Sequence, residues 1–347
     1  MTAVREVVDL RGALGRGPGT AELHDLLQEL LGGRAPADWT VALRQLKKRV
    51  FRLEFSAGAP WRSVVLKRLD PGVARRTRLV AERWLPDLGL GDRCARLLGG
   101  AADPRGEAVW HVYEDVGDET LAVSPEPERV EAAVDLIATL HTRAARHPVL
   151  PDVRRYCGDL GMAYFTANVR DAVDALNVLE ASGIDAPPEH APVPARLRER
   201  LRALLADAPR RGRIFADVQG PDTLLHGDLW TINVFVEGGR ARLVDWDSVG
   251  VGPFSYDLST FLMRFPTTRR PEIVERYGRM VARAGWRLPA AAQLAVLFDT
   301  AERARYANRV IWPALALVRD GAAWGFPELA EVERWFEALD ANPCTLA

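Results

Sequence analysis

Between Leu224 and Asp257 the chain reads LLHGDLWTINVFVEGGRARLVDWDSVGVGPFSYD, with carboxylates at Asp228, Asp245, Asp247 and Asp257 and an amide at Asn233. An Asp carboxylate and an Asn amide oxygen are hard ligands that suit Mg²⁺. That ion takes one or two protein carboxylates and fills the rest of its shell with water and substrate phosphates. A further carboxylate not consumed by metal can accept a proton. Residues of these types, so spaced, point to metal-assisted chemistry on a phosphate.

The elements that must position them are legible in the same stretch. Leu224-Leu225 ends a short apolar strand that opens into the loop His226-Gly227-Asp228. Val234-Phe235-Val236 alternates, Glu237-Gly238-Gly239-Arg240 has turn chemistry, and Ala241-Arg242-Leu243-Val244 alternates again, so a hairpin is predicted. Folding back, it should carry Asp245 and Asp247 beside Asp228 and Asn233.

The loop His226-Gly227-Asp228 with Asn233 beyond it, and Asp245 after a short strand, resemble the catalytic loop and metal-binding Asp of protein-kinase-like phosphotransferases. The forms HGDLW and VDWD are similar to those of the aminoglycoside phosphotransferase and choline kinase family. Only Ser248 to Tyr256 separates the VDWD segment from Asp257, which leaves no room for a peptide-docking activation loop and favours a small-molecule acceptor. The resemblance spans roughly residues 40–265. It implies an α+β, two-lobed protein-kinase-like fold, with an N-terminal antiparallel sheet and one helix in residues 1–116 and a mostly helical catalytic and substrate-binding lobe in 117–347.

The resemblance also assigns roles. Asp228 would orient the acceptor hydroxyl and take its proton, while Asn233 and Asp245 would hold Mg²⁺ on the phosphates of ATP, or of GTP. His226 and Asp257 would brace the loop; Asp247 fits either a water-mediated metal contact or a loop cap. Lys67, on a predicted strand Trp61 to Leu69, stands where the family places its phosphate-binding lysine, with Glu82 of the following helix (Ala74 to Leu85) as its partner. Tyr113 to Gly117 resembles the interlobe linker, so Glu114 and Val116 would meet the adenine edge through their backbone.

Other segments complete the expected first lobe. Thr20 caps a helical pattern within an extension, residues 1–38, that ends at Gly32-Gly33. Val41 to Arg44 and Val50 to Phe55 read as paired strands, and Cys94 to Gly99 and Val109 to Gly117 as the last two of five. The connection Gln45 to Arg49 lacks the glycine or small polar residues common in the family and offers Lys47, Lys48 and Arg49, with Lys48 the phosphate candidate. A solvated hairpin tip explains these cations equally well.

Beyond the linker a long helix, Glu128 to about Arg146, carries His141, read as a satisfied core histidine. Residues 156–208 are helical with a proline-rich break at Ala186 to Pro194, and residues 267–339 are helical with interruptions at Pro289, Pro313 and Gly325-Phe326-Pro327. Acceptor recognition is expected in these two regions, with Asp159, Asp299, Glu302 and Arg305 as polar candidates.

Composition sets outer bounds. The 347 residues are 48% hydrophobic and 27% charged, ordinary for a globular chain. The 46 basic and 47 acidic residues give a formal charge of −1, so no basic excess suggests nucleic acid. Cys94, Cys157 and Cys344 are far apart, suiting a reducing cytosol, and neither a signal core at Met1 to Leu10 nor a membrane span is read, so a cytoplasmic protein is expected. The expected activity is transfer of the γ-phosphoryl group of ATP or GTP to a hydroxyl of an antibiotic, sugar or amino alcohol. The mixed charges of the last helices do not argue for a strongly cationic acceptor. The alternative is a catalytically silent kinase-fold nucleotide-binding protein; the presence of Lys67, Asp228, Asn233 and Asp245 together favours the enzyme.

Overall fold

The computed structural model describes residues 17–35 and 40–343. The start of the chain, read above for targeting signals, and Cys344 lie outside the described residues. The chain divides into two compact units, Met1–Ala133 with Ile232–Val249, and Val134–Thr231 with Gly250–Ala347.

The first unit is built on an antiparallel five-stranded sheet of order β1-β2-β3-β5-β4. Its strands are β1 (Thr40–Lys47), β2 (Val50–Phe55), β3 (Ser63–Leu69), β4 (Leu97–Ala102) and β5 (Val109–Glu114). Alternation explains the layering: Leu53, Leu66 and Val112 bury one face against Leu23 and Leu27 of helix α1 (Thr20–Leu30). Those two leucines are one helical turn apart and share a face. Thr20 is the first helical residue and not its cap; its hydroxyl donates to Gly17 O at 2.8 Å. Helix α2 (Pro71–Leu79) runs into a π-helical turn, Val80–Trp84, before ending at Asp87. The later hairpin, β7 (Val234–Glu237) and β8 (Arg240–Leu243), is antiparallel as predicted and belongs to this unit, with Leu121 N–H donating to Val234 O at 2.7 Å.

The second unit is mostly helical. After α3 (Pro127–Ala144), which begins in the first unit, come α4 (Leu150–Cys157), α5 (Met162–Ala181) and α6 (Val193–Val218). Helices α7 (Ser255–Leu262), α8 (Arg270–Ala282), α9 (Ala291–Asp320) and α10 (Gly325–Ala341) follow. Phe165, Leu176, Leu197, Leu201 and Phe336 form its main core, where α5, α6, α9 and α10 meet. The expected interruption at Pro313 is absent: this residue is buried inside α9, and Pro209 likewise lies inside α6. Tertiary packing there outweighs a proline's roughly 3 kcal/mol disadvantage in a helix interior.

A short pair, β6 (Asp222–Leu225) with β9 (Gly250–Pro253), holds the base of the HGD loop. Strand β9 was not predicted, because Gly-Val-Gly-Pro has low strand propensity. Its glycines answer to packing: a Cβ on Gly250 would stand 2.7 Å from the Leu160 side chain. Among the described residues no helix is long and apolar enough to cross a membrane.

Candidate active site

The first unit contains a cleft of about 190 Å³ whose walls include Val65, Val80, Tyr113, Val116, Phe235 and Leu243. Lys67 and Asp245 also line it, and there the environment turns polar. The Lys67 ammonium donates to Asp245 Oδ1 and, at 2.7 Å, to Asp247 Oδ1. Burial alone would lower the Lys67 pKa, but the two carboxylates outweigh it and raise it. Burial likewise opposes ionisation of Asp245, yet Lys67 and then Lys47 hold its carboxyl below the ordinary value. Asp247 moves the other way, pushed up by burial and by Asp245 despite Lys67.

Sequence folds Asp245 into this position by an uncommon backbone. With φ 67° it is one of two non-glycine residues in the described chain at positive φ. Such a conformation costs energy and concentrates at functional sites; Asp bears it better than most side chains. Asn233, buried at the mouth of β7, accepts the Val244 N–H on its backbone oxygen at 3.0 Å, so the hairpin fixes Asn233 next to the start of the Asp245 turn.

The expected partnership of Lys67 with Glu82 is not formed. Glu82 is exposed and accepts from Arg78 Nε at 2.7 Å. The π-helical turn that contains Glu82 rotates the helix, so Thr77, Val80 and Ala81 face the cleft instead. Behind Lys67 its cross-strand partner His111 is buried, with Nδ1 3.0 Å from Tyr113 Oη and 3.4 Å from Thr77 Oγ1. Burial, followed by the nearby Arg78, drops the His111 pKa to about 4, so this residue adds no charge beside Lys67 at neutral pH.

The loop between β1 and β2 presents Lys47 to the cleft and not Lys48. Lys47 pairs with Val50 as the last strand residue and donates to Asp245 Oδ2 at 3.2 Å. Lys48 sits exposed in the turn, where its carbonyl accepts from Gln45 Nε2. At the linker, Glu114 and Val116 line the cleft. The Glu114 N–H is already given to Arg96 O at 2.9 Å, and its carboxylate accepts from Arg96 N–H and Arg242. The Val116 N–H has no partner among the described residues. Arg52, which sequence reasoning passed over, secures this linker: buried within the sheet, it donates to Asp115 at 2.9 Å, Asp118 at 2.6 Å and Gly117 O at 2.8 Å. Its signal was faint, an arginine at an otherwise apolar strand position.

In the second unit the HGD loop is anchored by Asp257. This fully buried carboxylate accepts the His226 N–H at 2.7 Å and the Gly227 N–H at 2.8 Å. Gly227, at φ 83°, supplies a backbone conformation that β-branched or bulky residues resist. The His141 ring is fully buried, its Nε2 3.4 Å from Asp257 and its Nδ1 2.9 Å from the Tyr277 hydroxyl. Burial alone would raise the Asp257 pKa; the bond to His141, the fields of His141 and His226, and the Gly227 N–H together lower it. His141 is therefore a core histidine that positions the loop. Its partner Tyr277 was not singled out in the sequence, where nothing separates it from other helical tyrosines.

The four polar residues expected at the acceptor divide into two kinds. Asp159 accepts Gly161 N–H and Arg154, and Asp299 accepts Arg211 and Arg303, all within local ion-pair and turn networks. Glu302 and Arg305 lie deeper. Glu302 accepts from Ser259 at 2.8 Å, Thr260 at 3.1 Å and Arg305 at 2.6 Å, and the Arg305 guanidinium lies 3.6 Å over the Tyr256 ring. Both are packed against α7, the helix that bears Asp257.

A nucleotide fits the residues present: an apolar slot, an unpartnered backbone N–H at the linker, and a cation with two carboxylates along the walls. Among the described residues no group of three or more His, Cys, Asp or Glu is placed to hold a metal. Asp245 with the Asn233 amide remains a donor set of the kind Mg²⁺ uses when phosphates complete its shell.

The profile described as "Phosphotransferase enzyme family" matches residues 45–294, well over half of the chain. Solved structures similar to it include a choline/ethanolamine kinase family protein from Mesorhizobium loti, 15% identical over 91% of this chain and 94% of that one, TM-score 0.55. Spectinomycin phosphotransferase in complex with ADP and spectinomycin is 12% identical over 90% and 93%, TM-score 0.56. An aminoglycoside-3'-phosphotransferase of type VIII is 22% identical over 81% and 98%, TM-score 0.50. At these identities the likeness establishes the protein-kinase-like fold. No curated protein sequence matches the chain.

Proposed function

The chain belongs to the phosphotransferase enzyme family, and on that premise we propose that it transfers the γ-phosphoryl group of ATP to a hydroxyl of a small molecule. The observation that carries this reading is the Lys67 ammonium joined to both Asp245 and Asp247 on the wall of an apolar cleft. Adenine suits the apolar part, with the Val116 N–H as its donor, and the phosphates suit the charged part. Lys67 would exchange its carboxylates for phosphate oxygens, leaving Asp245, with the Asn233 amide, to hold Mg²⁺. When bound, that ion neutralises charge on the oxygens of the transferring group.

Asp228 is assigned to the acceptor. Its loop is held by Asp257 through two backbone N–H groups, so the carboxylate can be fixed in one orientation. The acceptor oxygen forms a bond to the γ-phosphorus as the bond from that phosphorus to the β,γ-bridging oxygen breaks. Its proton passes to Asp228 late, because a loose transition state needs little general base. His226, Asp257 and His141 position the loop without touching substrate. Proper orientation supplies much of the acceleration in such a site.

Release of ADP, measured by a coupled assay with Mg·ATP against antibiotics, sugars, amino alcohols and hydroxylated carboxylic and phosphate acids, tests the proposal. Acceptor-dependent ADP release that disappears in Asp228→Asn is expected. Tight Mg·ATP binding with no acceptor-dependent turnover across the set would instead identify a silent nucleotide-binding protein.

A further inference from the structure

Resting on the kinase reading above, we propose that Arg264, stacked on Trp230 in the loop of Asp228, receives an anionic group of the acceptor, a carboxylate or a phosphate. Arg264 follows helix α7, and its guanidinium carbon lies 3.7 Å from the centre of the Trp230 ring. Trp230 in turn donates its backbone N–H to Asp228 O at 2.9 Å. The stack therefore sets the guanidinium against the loop that carries the candidate base, two residues from Asp228.

The side chain of Arg264 is otherwise without a counterion. Among the described residues it forms no ion pair and no side-chain hydrogen bond, and its Nε is buried without an acceptor. Its neighbours in the same unit differ: Arg305 has Glu302, Arg211 and Arg303 have Asp299, and Arg276 has Asp135. The acid nearest in influence, Glu302, is already committed to Arg305, Ser259 and Thr260. Burial pulls the Arg264 pKa below the ordinary arginine value against the fields of Glu302, Tyr306 and Asp228, but an arginine remains charged.

A guanidinium that is half-desolvated, held flat by an aromatic ring and unmatched by any carboxylate is a preformed receptor. Stacking occupies one face of the plane and leaves the N–H edge, whose fork matches a carboxylate or phosphate through paired bonds. The same charge disfavours a polycationic acceptor, since bringing an ammonium group to Arg264 adds like-charge repulsion.

The test uses the full chain with Mg·ATP and two acceptor sets. One is acidic: D-gluconate, D-glycerate and glucose 6-phosphate. The other lacks the acid: glucitol, glycerol, glucose and an aminoglycoside polycation. Turnover above acceptor-free ATP hydrolysis is expected only in the acidic set, and carboxylate against phosphate members separate the two anions. For the best acid, R264M should raise KM at least 30-fold with a much smaller change in kcat, and R264K should recover part of the loss. Turnover confined to neutral or cationic acceptors, no turnover with any acid, or a KM within twofold in R264M overturns the assignment. Calorimetric binding of Mg·ATP keeps the two levels apart: acceptor failure with nucleotide bound removes only the role of Arg264, whereas no nucleotide binding removes the kinase reading itself.

Discussion

Asp245 in the first unit is a partly buried carboxylate and Asp257 in the second a fully buried one, and both are held below the ordinary aspartate pKa against the desolvation that opposes their charge. The means differ. Asp245 relies on the ammonium groups of Lys67 and Lys47, point charges on long aliphatic stems that can turn to another anion. Asp257 relies on two backbone N–H groups and a histidine that is itself fixed by Tyr277. A carboxylate satisfied by exchangeable cations can give them up to phosphates and accept a metal in return. One satisfied by backbone cannot change partners without breaking the loop. The pair thus separates a site made to rearrange from a brace made to stay.

The sharpest break of that contrast is Asp245→Ala. Turnover should fall on the order of 10²–10³-fold, as when a preorganised charge contact is removed, together with Mg·ATP affinity. The melting temperature should fall only slightly, by the extra strain of Ala at a positive φ that Asp tolerates better, since the side chain serves no core. Kinetics and calorimetry on one preparation check both halves.

Asp257→Asn should do the reverse, costing roughly 3 kcal/mol of stability by leaving buried donors mismatched, measured by urea denaturation. The sign of its pH dependence follows from the lowered pKa. The stabilisation is complete above the unfolded value of about 3.8 and is lost as pH falls through the folded-state pKa. The native protein should therefore lose stability more steeply than the variant in that acid range.

The five strand segments of the first lobe, the catalytic-type hairpin and the helical second unit were legible because each depends on local periodicity and turn chemistry. Val50–Phe55 alternates, and Glu237 to Arg240 cannot easily be anything but a turn. Contacts that depend on rotation were not legible. A π-helical turn decided that Glu82 points to Arg78, and strand pairing decided that Lys47 and not Lys48 reaches Asp245. Neither carries a residue-type signature. Strand β9 and the unbroken helix through Pro313 were set by packing against Leu160 and the α9 surroundings, against local propensity. Arg264 was passed over because an arginine near a helix end is ordinary until its missing counterion is seen.

A smaller effect sharpens the comparison on the cation side. Lys67→Met should weaken Mg·ATP binding by about 10- to 100-fold, a loss of roughly 1.4–2.7 kcal/mol. Smaller still, Lys47→Ala should weaken it a few-fold in a salt-sensitive way, while Lys48→Ala leaves it unchanged. Titrations at two ionic strengths resolve all three.

The division between a nucleotide side and an acceptor side is tested most directly by titrating Mg·ATP into Asp228→Asn in a calorimeter while following its acceptor-dependent ADP release. The account predicts an affinity within about threefold of the native protein, a change of less than roughly 0.7 kcal/mol, with transfer abolished. Loss of Mg·ATP affinity as large as that in Asp245→Ala would contradict it, because Asp228 would then belong to the nucleotide and not to the acceptor.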